Sequence, residues 1–209
     1  MNQNGPTFFK IIVGELEVNC YIIYSEQTKN CFIIDPGDNG EKILKGISEA
    51  GLNPQKILLT HGHIDHCGGI SYIVSETGIP VFVHKEDSLL MNSRRNMELG
   101  AAFGLDTPPE PDGYFKDREI IKLDDVDIEV FHTPGHTPGS VCFKTNGMIF
   151  TGDTLFHGSI GRTDLPGGNF SQLEESLELL KKFPGNTKIH PGHGESSDIK
   201  QELRINPFL

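Results

Sequence analysis

Most of the nine histidines in this 209-residue chain fall in short stretches where an apolar segment runs into a tight turn. Four turns share that layout: Thr60-His61-Gly62-His63-Ile64-Asp65-His66, Thr133-Pro134-Gly135-His136, Thr151-Gly152-Asp153 and Pro191-Gly192-His193. If they converge on one edge of the fold, five imidazoles and two carboxylates meet, the nitrogen and oxygen set that borderline divalent metals prefer. Seven donors are too many for one tetrahedral ion. They suit two ions that share a carboxylate, with room for a bridging water. The alternative for each residue is a hydrogen-bonded capping or surface histidine, and for the set a purely structural metal. Four matching turns weigh against the first. Against the second stands the absence of cysteine among the donors, because structural sites are usually closed and rich in thiolate.

The elements that must position these turns can be read from pattern. Residues 7–13, 19–24 and 30–34 read as strands, because β-branched and aromatic residues run between turn-forming pieces such as Pro36-Gly37-Asp38. Ile43, Leu44 and Ile47 recur at helical spacing over 40–50, with Gly51 as a C-terminal cap. A strand at 56–60, a helix at 70–77 stopped by Gly78 and a strand at 80–84 follow, the alternation of a layered α/β fold. Around Met97 a helix is expected, and after it a Pro-rich loop at 107–113 that could cover a site. Strands resume at 120–123, 128–132, 140–145 and 148–151, the last two joined by the hairpin signal Asn146-Gly147. Ser171 and Glu174 form a capping-box pattern for a helix running to about Phe183; a last strand at 187–190 and a short helix after Ser197 complete the chain. No repeat or linker divides it, so residues 1–209 are expected to form one domain.

Composition narrows the function classes. Eighteen Lys and Arg against 29 Asp and Glu give a net charge of -11, the wrong sign for gripping a phosphate backbone, so nucleic acid is not an expected partner. No window approaches a membrane span and residues 1–10 lack the apolar stretch of a secretory signal, so no membrane partner and a cytoplasmic location are expected. Cys20, Cys31, Cys67 and Cys142 form no C-x-x-C pair and read as reduced, buried thiols.

The set His61-x-His63-x-Asp65-His66, His136, Asp153 and His193 resembles the metallo-β-lactamase superfamily. That resemblance implies an α/β fold, a four-layer αββα sandwich of two mixed β-sheets with a binuclear metal site along their shared edge. Within the superfamily the chain is similar to the glyoxalase II-like hydrolases through Thr151-Gly152-Asp153-Thr154 and Gly161-Arg162-Thr163-Asp164-Leu165-Pro166-Gly167-Gly168. The resemblance implies that His61, His63 and His136 hold one metal, that Asp65, His66 and His193 hold the other, and that Asp153 bridges them. Asp35, in Ile34-Asp35-Pro36-Gly37, matches a carboxylate that supports a metal-binding histidine from behind. The implied cofactors are two divalent ions, zinc first, with iron or manganese as alternatives.

The departures from the family also carry information. Glyoxalase II continues past its last histidine into a helical region that helps bind glutathione, whereas 16 residues follow His193 here (209 minus 193). Arg162 falls where the family places a basic residue near glutathione, but Asp164 stands nearby and the tyrosine that follows in glyoxalase II is not present. The second-metal cysteine of many β-lactamases and the extra nucleic-acid-binding portions of the superfamily's nucleases are also missing. The expected activity is therefore hydrolysis of a small acyl thioester, of the hydroxyacylglutathione type, or a related ester. A metal-bound hydroxide would attack the carbonyl, and Asp65 is a candidate proton acceptor. A thiolate leaves with little protonation, so no strong general acid is required. The competing expectations are a persulfide dioxygenase with one iron on His61, His136 and Asp153, and a non-catalytic metal-binding module. Arg162 could pair a substrate carboxylate or simply Asp164, and His157 could line the pocket. His84, His132, His190 and Cys67 are read as structural.

Overall fold

The computed structural model describes residues 7–209; the first six residues, part of the expected single domain and of the stretch read as lacking a signal, lie outside it. The chain folds into two six-stranded mixed sheets flanked by helices. The first sheet has the order β1 (Thr7–Val13), β2 (Val18–Tyr24), β3 (Asn30–Ile34), β4 (Asn53–Leu58), β5 (Val81–His84), β6 (Gly113–Phe115). Its first two pairings are antiparallel hairpins; the next three are parallel, with crossovers through α1 (Gly40–Glu49) and α3 (Ile70–Thr77). The second sheet runs β14 (Ser197–Asp198), β13 (Lys188–Pro191), β10 (Met148–Gly152), β9 (Val141–Thr145), β8 (Val126–His132), β7 (Ile120–Leu123). Among these strands only β10 and β13 pair in parallel, across the helix α6 (Phe170–Leu180).

Period-2 alternation sorts each strand's side chains into separate cores. Tyr21, Ile23 and Phe32 of the first sheet meet Val130, Phe143 and Phe150 of the second, filling the space between the sheets. The intervening Ile22, Cys31 and Ile33 face α1 and α3 on the outer side of the first sheet. Phe131, Cys142 and Ile149 face α6 and α7 (Ile199–Ile205) on the outer side of the second. The strands are therefore apolar on both faces, as buried strands covered by helices must be. The expected αββα sandwich is what forms. Among the described residues no helix is long and apolar enough to cross a membrane.

Several boundaries differ from the sequence reading, each for a physical reason. β4 begins at Asn53 and stops at Leu58, because Pro54 fits into the parallel ladder at a register shift opposite Cys31 and Phe32. The helix expected from a Ser171 capping box starts earlier, at Phe170: Asn169 supplies the cap, its side chain accepting the Gln172 amide at 3.2 Å. The stretch 107–113 is tied along the first sheet: Ser71 Oγ donates to the Thr107 carbonyl at 2.7 Å, and the Val81 amide donates to Asp112 Oδ2 at 2.8 Å. Short pieces without a period of their own went unread, namely α2 (Ile64–Cys67), α4 (Ser88–Met91), β6, β14 and the hairpin β11 (Leu155–Phe156) and β12 (Ser159–Ile160). The helix expected near Met97 is α5 (Arg94–Ala102).

Asn169→Ala is expected to lower stability by about 1 kcal/mol, while Ser171→Ala stays within about 0.5 kcal/mol. Urea denaturation midpoints compare the two; equal losses would restore Ser171 as the cap.

Candidate metal centre

The four turns leave β4, β8, β10 and β13 at the same edge of the two sheets, and their side chains come together there. His61, His63 and His136 form one group whose donor atoms lie within 4.8 Å of one another; Asp65, His66 and His193 form a second, and Asp153 joins His61 and His66 in a third. Asp153 lies between the groups. Its Oδ1 is 3.4 Å from His66 Nε2, and its Oδ2 is 3.7 Å from both His136 Nε2 and His193 Nε2. Asp65 Oδ2 is 3.5 Å from His193 Nε2. Asp65 and His66 ride on the single turn of α2, a helical turn where the residue pattern predicts a loop. A Cβ on Gly192 would strike Asp153 Oδ1 and the His66 ring, so only glycine lets this backbone approach so closely.

The partners behind the rings decide where their protons sit. His66 Nδ1 faces Asp35 Oδ2 at 3.0 Å, His136 Nδ1 the Arg162 carbonyl at 2.7 Å, and His193 Nδ1 the Leu16 carbonyl at 2.9 Å. All three partners accept only, so each Nδ1 carries a proton and each Nε2 is the atom left facing the site. His61 is fixed at one remove. Thr60 Oγ1 gives its proton to Asp35 Oδ2 at 2.6 Å and can only accept from His61 Nδ1 at 3.1 Å, leaving His61 Nε2 bare. Four Nε2 atoms thus aim into a space bounded by carboxylates. His66 Nε2 and His193 Nε2 stand 3.3 Å apart, and the buried His61 Nε2 and Asp153 Oδ1 have no hydrogen-bond partner. A buried orphan acceptor is costly, and a convergent set of them is a cation site. These donors fit divalent metal ions.

Electrostatics point the same way. Burial lowers the pKa of His61 far below the ordinary value, reinforced by the imidazoles of His66, His136 and His63; His63 is pulled down to about 4 by burial and by His136. Burial also acts to lower the pKa of His66, but the carboxylates of Asp153, Asp65 and Asp35 outweigh it and raise the pKa well above normal. His193 is raised in the same way, against burial, by its contact with Asp65 and by Asp153. Asp153 stays well below the usual carboxylate range because His66, His136 and His193 overcome the opposing effect of burial. Positive charge is stabilised at the His66 side of the site.

Asp35 reaches this position through a left-handed backbone (φ 50°), a strained conformation for a residue with a side chain, and its Oδ1 also accepts the Thr60 amide at 2.8 Å. Two further groups were not found from sequence. Asp87, fully buried, accepts from the Gly62 amide at 2.8 Å, Thr137 Oγ1 at 2.7 Å and the Gly139 amide at 2.7 Å. It joins the turn bearing His61 and His63 to the turn bearing His136. Asn96 accepts the Ile64 amide and donates to the Gly62 and Met91 carbonyls. All of Asp87's partners, and Gly62 and Ile64 for Asn96, lie 25 or more residues away in sequence. The only available signal was a polar residue within an otherwise apolar pattern.

A cavity of about 410 Å³ opens beside His63, walled by Leu90, Leu99, Leu165 and Pro166, with Arg95 and Arg162 also on its lining. The pieces beside it are α4, α5 and residues 162–166, and none of 107–113 lines it. Arg162 is already engaged: Nε and an Nη of its guanidinium bond the two oxygens of Asp164, both at 2.7 Å. His157 is exposed and turned to α7, where Gln201 Nε2 donates to its Nε2 at 2.9 Å; it does not line the cavity. Of the remaining histidines, His190 Nδ1 meets Ser196 Oγ at 2.9 Å, and its ring packs on Phe8 and Phe150. The buried Cys67 thiol donates to the His63 carbonyl at 3.2 Å, and burial raises its pKa.

Two helix-flanked mixed sheets with a histidine- and aspartate-lined edge define a class, and the chain belongs to it: the family profile described as the metallo-beta-lactamase superfamily matches residues 13–193. The hydroxyacylglutathione hydrolase GloC of Haemophilus influenzae is 40% identical over 210 residues, covering 95% of this chain and 96% of that protein. The B3 metallo-beta-lactamase BLEG-1 is similar in structure with a TM-score of 0.90 at 33% identity, covering 97% of this chain and 99% of the other. A di-iron-bound form of TTHA1623 has a TM-score of 0.87 at 37% identity, covering 96% and 100%.

Because the pKa values of His66 and His193 lie above 6.5 in the metal-free protein, metal binding at neutral pH must expel protons, and affinity must fall as pH drops. Calorimetry in buffers of different ionisation enthalpy measures the release; zero release at pH 7 would contradict it. Asp87→Asn is expected to weaken metal binding about 10- to 100-fold by loosening the joint between two histidine turns. Competition with a chromophoric chelator reads that change.

Proposed function

We propose that the chain is a single-domain, binuclear metal-dependent hydrolase that acts in the cytoplasm on small acyl thioesters of the hydroxyacylglutathione type or related esters. The observation that carries this reading is the convergence of imidazole nitrogens on Asp153 and Asp65 at the mouth of a cavity. His61, His63 and His136 would hold one ion, Asp65, His66 and His193 the other, with Asp153 shared between them. Zinc is the first choice, with iron or manganese possible; iron gains weight from the di-iron form of TTHA1623. Divalent ions in such a site acidify a coordinated water and polarise a carbonyl, which is the chemistry that acyl hydrolysis needs.

The chain's own groups do the rest. Asp35, directly and through Thr60, and the carbonyls of Arg162 and Leu16 keep four Nε2 atoms aimed into the site. Asp65 has its pKa lowered by His66 and by contact with His193, against the effect of burial, so it is ionised at neutral pH and can take a proton at Oδ2. The leucine and proline walls exclude water from the bound acyl group, and Arg95, free of any ion pair among the described residues, presents a cation to a substrate carboxylate. The name of GloC supports the thioester class, and a thiolate leaves with little need for a general acid.

Metal-loaded protein is expected to hydrolyse hydroxyacylglutathione thioesters. Asp153→Ala should lower turnover about 100-fold or more. Arg95→Ala should raise KM for a carboxylate-bearing thioester roughly tenfold with little change in kcat. Metal analysis accompanies the kinetics. One iron with persulfide-dependent oxygen uptake, or two metals with no turnover of any thioester or ester, would overturn the proposal.

A further inference from the structure

Apart from the edge already described, one other group of metal-ligating side chains comes together among the described residues. His84 ends β5, Glu86 lies in the 3-10 turn Lys85–Asp87 that follows, and His132 ends β8 of the other sheet. One donor atom from each lies within 4.8 Å of the others. The two imidazoles stack with 4.1 Å between centroids and 17° between planes. His132 Nε2 is 2.8 Å from the Pro138 carbonyl, which accepts only, so Nε2 keeps the proton and Nδ1 is left as a lone pair. This tethering from behind is how metal-bound imidazoles are held. His84 is freer, its one hydrogen bond being a 3.4 Å contact from the Glu86 amide to Nδ1. Its pKa is lowered, by burial first and then by His132, with Glu86 and Asp117 opposing, so at neutral pH it offers a lone pair. Glu86 is exposed and pairs with no cation among the described residues, while the nearby Asp117 Oδ1 is taken by the His132 amide at 2.9 Å.

We propose that His84, Glu86 and His132 form a peripheral site for a borderline divalent cation such as zinc, nickel or copper(II), two nitrogens and one oxygen being completed by water. Donors of a tetrahedral ion with ~2.1 Å bonds lie ~3.4 Å apart. The group therefore has to draw in: Glu86 swings from solvent and the His84 ring turns out of its stack, while His132 stays on its tether. The site joins two segments that Asp87 also joins. Asp87 follows Glu86 directly, and Gly139, which donates to Asp87, follows Pro138, which holds His132. An ion there would brace the back of the turns bearing His61, His63 and His136.

The test is metal content by mass spectrometry after dialysis against buffered free zinc. Wild type is expected to hold one equivalent more than the double variant His84→Asn/His132→Asn, whatever number the main centre holds. The double variant should keep its thioester hydrolysis within about twofold, since Asp87 still joins the turns that the ion would brace. Equal metal content in the two proteins overturns the proposal. Glu86→Gln, a surface change that leaves both rings in place, is expected to weaken binding of the extra equivalent about tenfold. An unchanged affinity removes the carboxylate from the site and overturns it as stated.

Discussion

The buried carboxylate of Asp35 fixes the chemistry of this edge. Through Oδ2 it accepts the hydrogen bond of His66 Nδ1 directly and, by way of the Thr60 hydroxyl, sets the tautomer of His61. Carbonyls behind His136 and His193 do the same for those rings. Four ring nitrogens are thereby aimed toward each other and toward two carboxylates, an arrangement that favours positive charge between them. The field that holds a proton on His66 at neutral pH is the field that a divalent cation would answer. The left-handed backbone at Asp35 is strain of the kind that persists at functional sites when the surroundings determine it fully.

Such a site tolerates little positional error, and the fold supplies rigidity in two ways. The donors sit on short turns at the ends of strands whose other residues are locked into three apolar cores. The turns are then bonded to one another through buried polar groups. Asp87 links the His61–His63 turn to the His136 turn, and Asn96 holds the Gly62 carbonyl and the start of α2. Each of these groups has partners for most of its capacity, so the network orders the site without leaving buried charge unmet.

The cavity beside this edge is built differently. Its walls come from α4 and α5, which expose Leu89, Met97 and Leu99, and from the turn at 162–166. Arg162 spends its fork on Asp164, and Arg95, with no ion pair among the described residues, lines the cavity. The histidine turns are held by the sheets and the cavity wall by short helices, so the two parts of this edge are built from separate elements.

The residue types and spacings of the four turns, the strand and helix periods and the Asn146-Gly147 hairpin were legible in the chain itself, because each is a local property of neighbouring residues. Both residues of that hairpin turn adopt positive φ, as its type requires. The αββα layering followed from the alternation of those periods together with a family resemblance. Legibility ended where partners are distant in sequence. Asp87 lies 25 residues from Gly62 and 50 from Thr137, His157 turned to Gln201, and α2 is a single turn, too short to show a period. Hydrogen-bond direction, tautomer and cavity walls depend on which groups face each other across the folded layers, and only tertiary packing decides that.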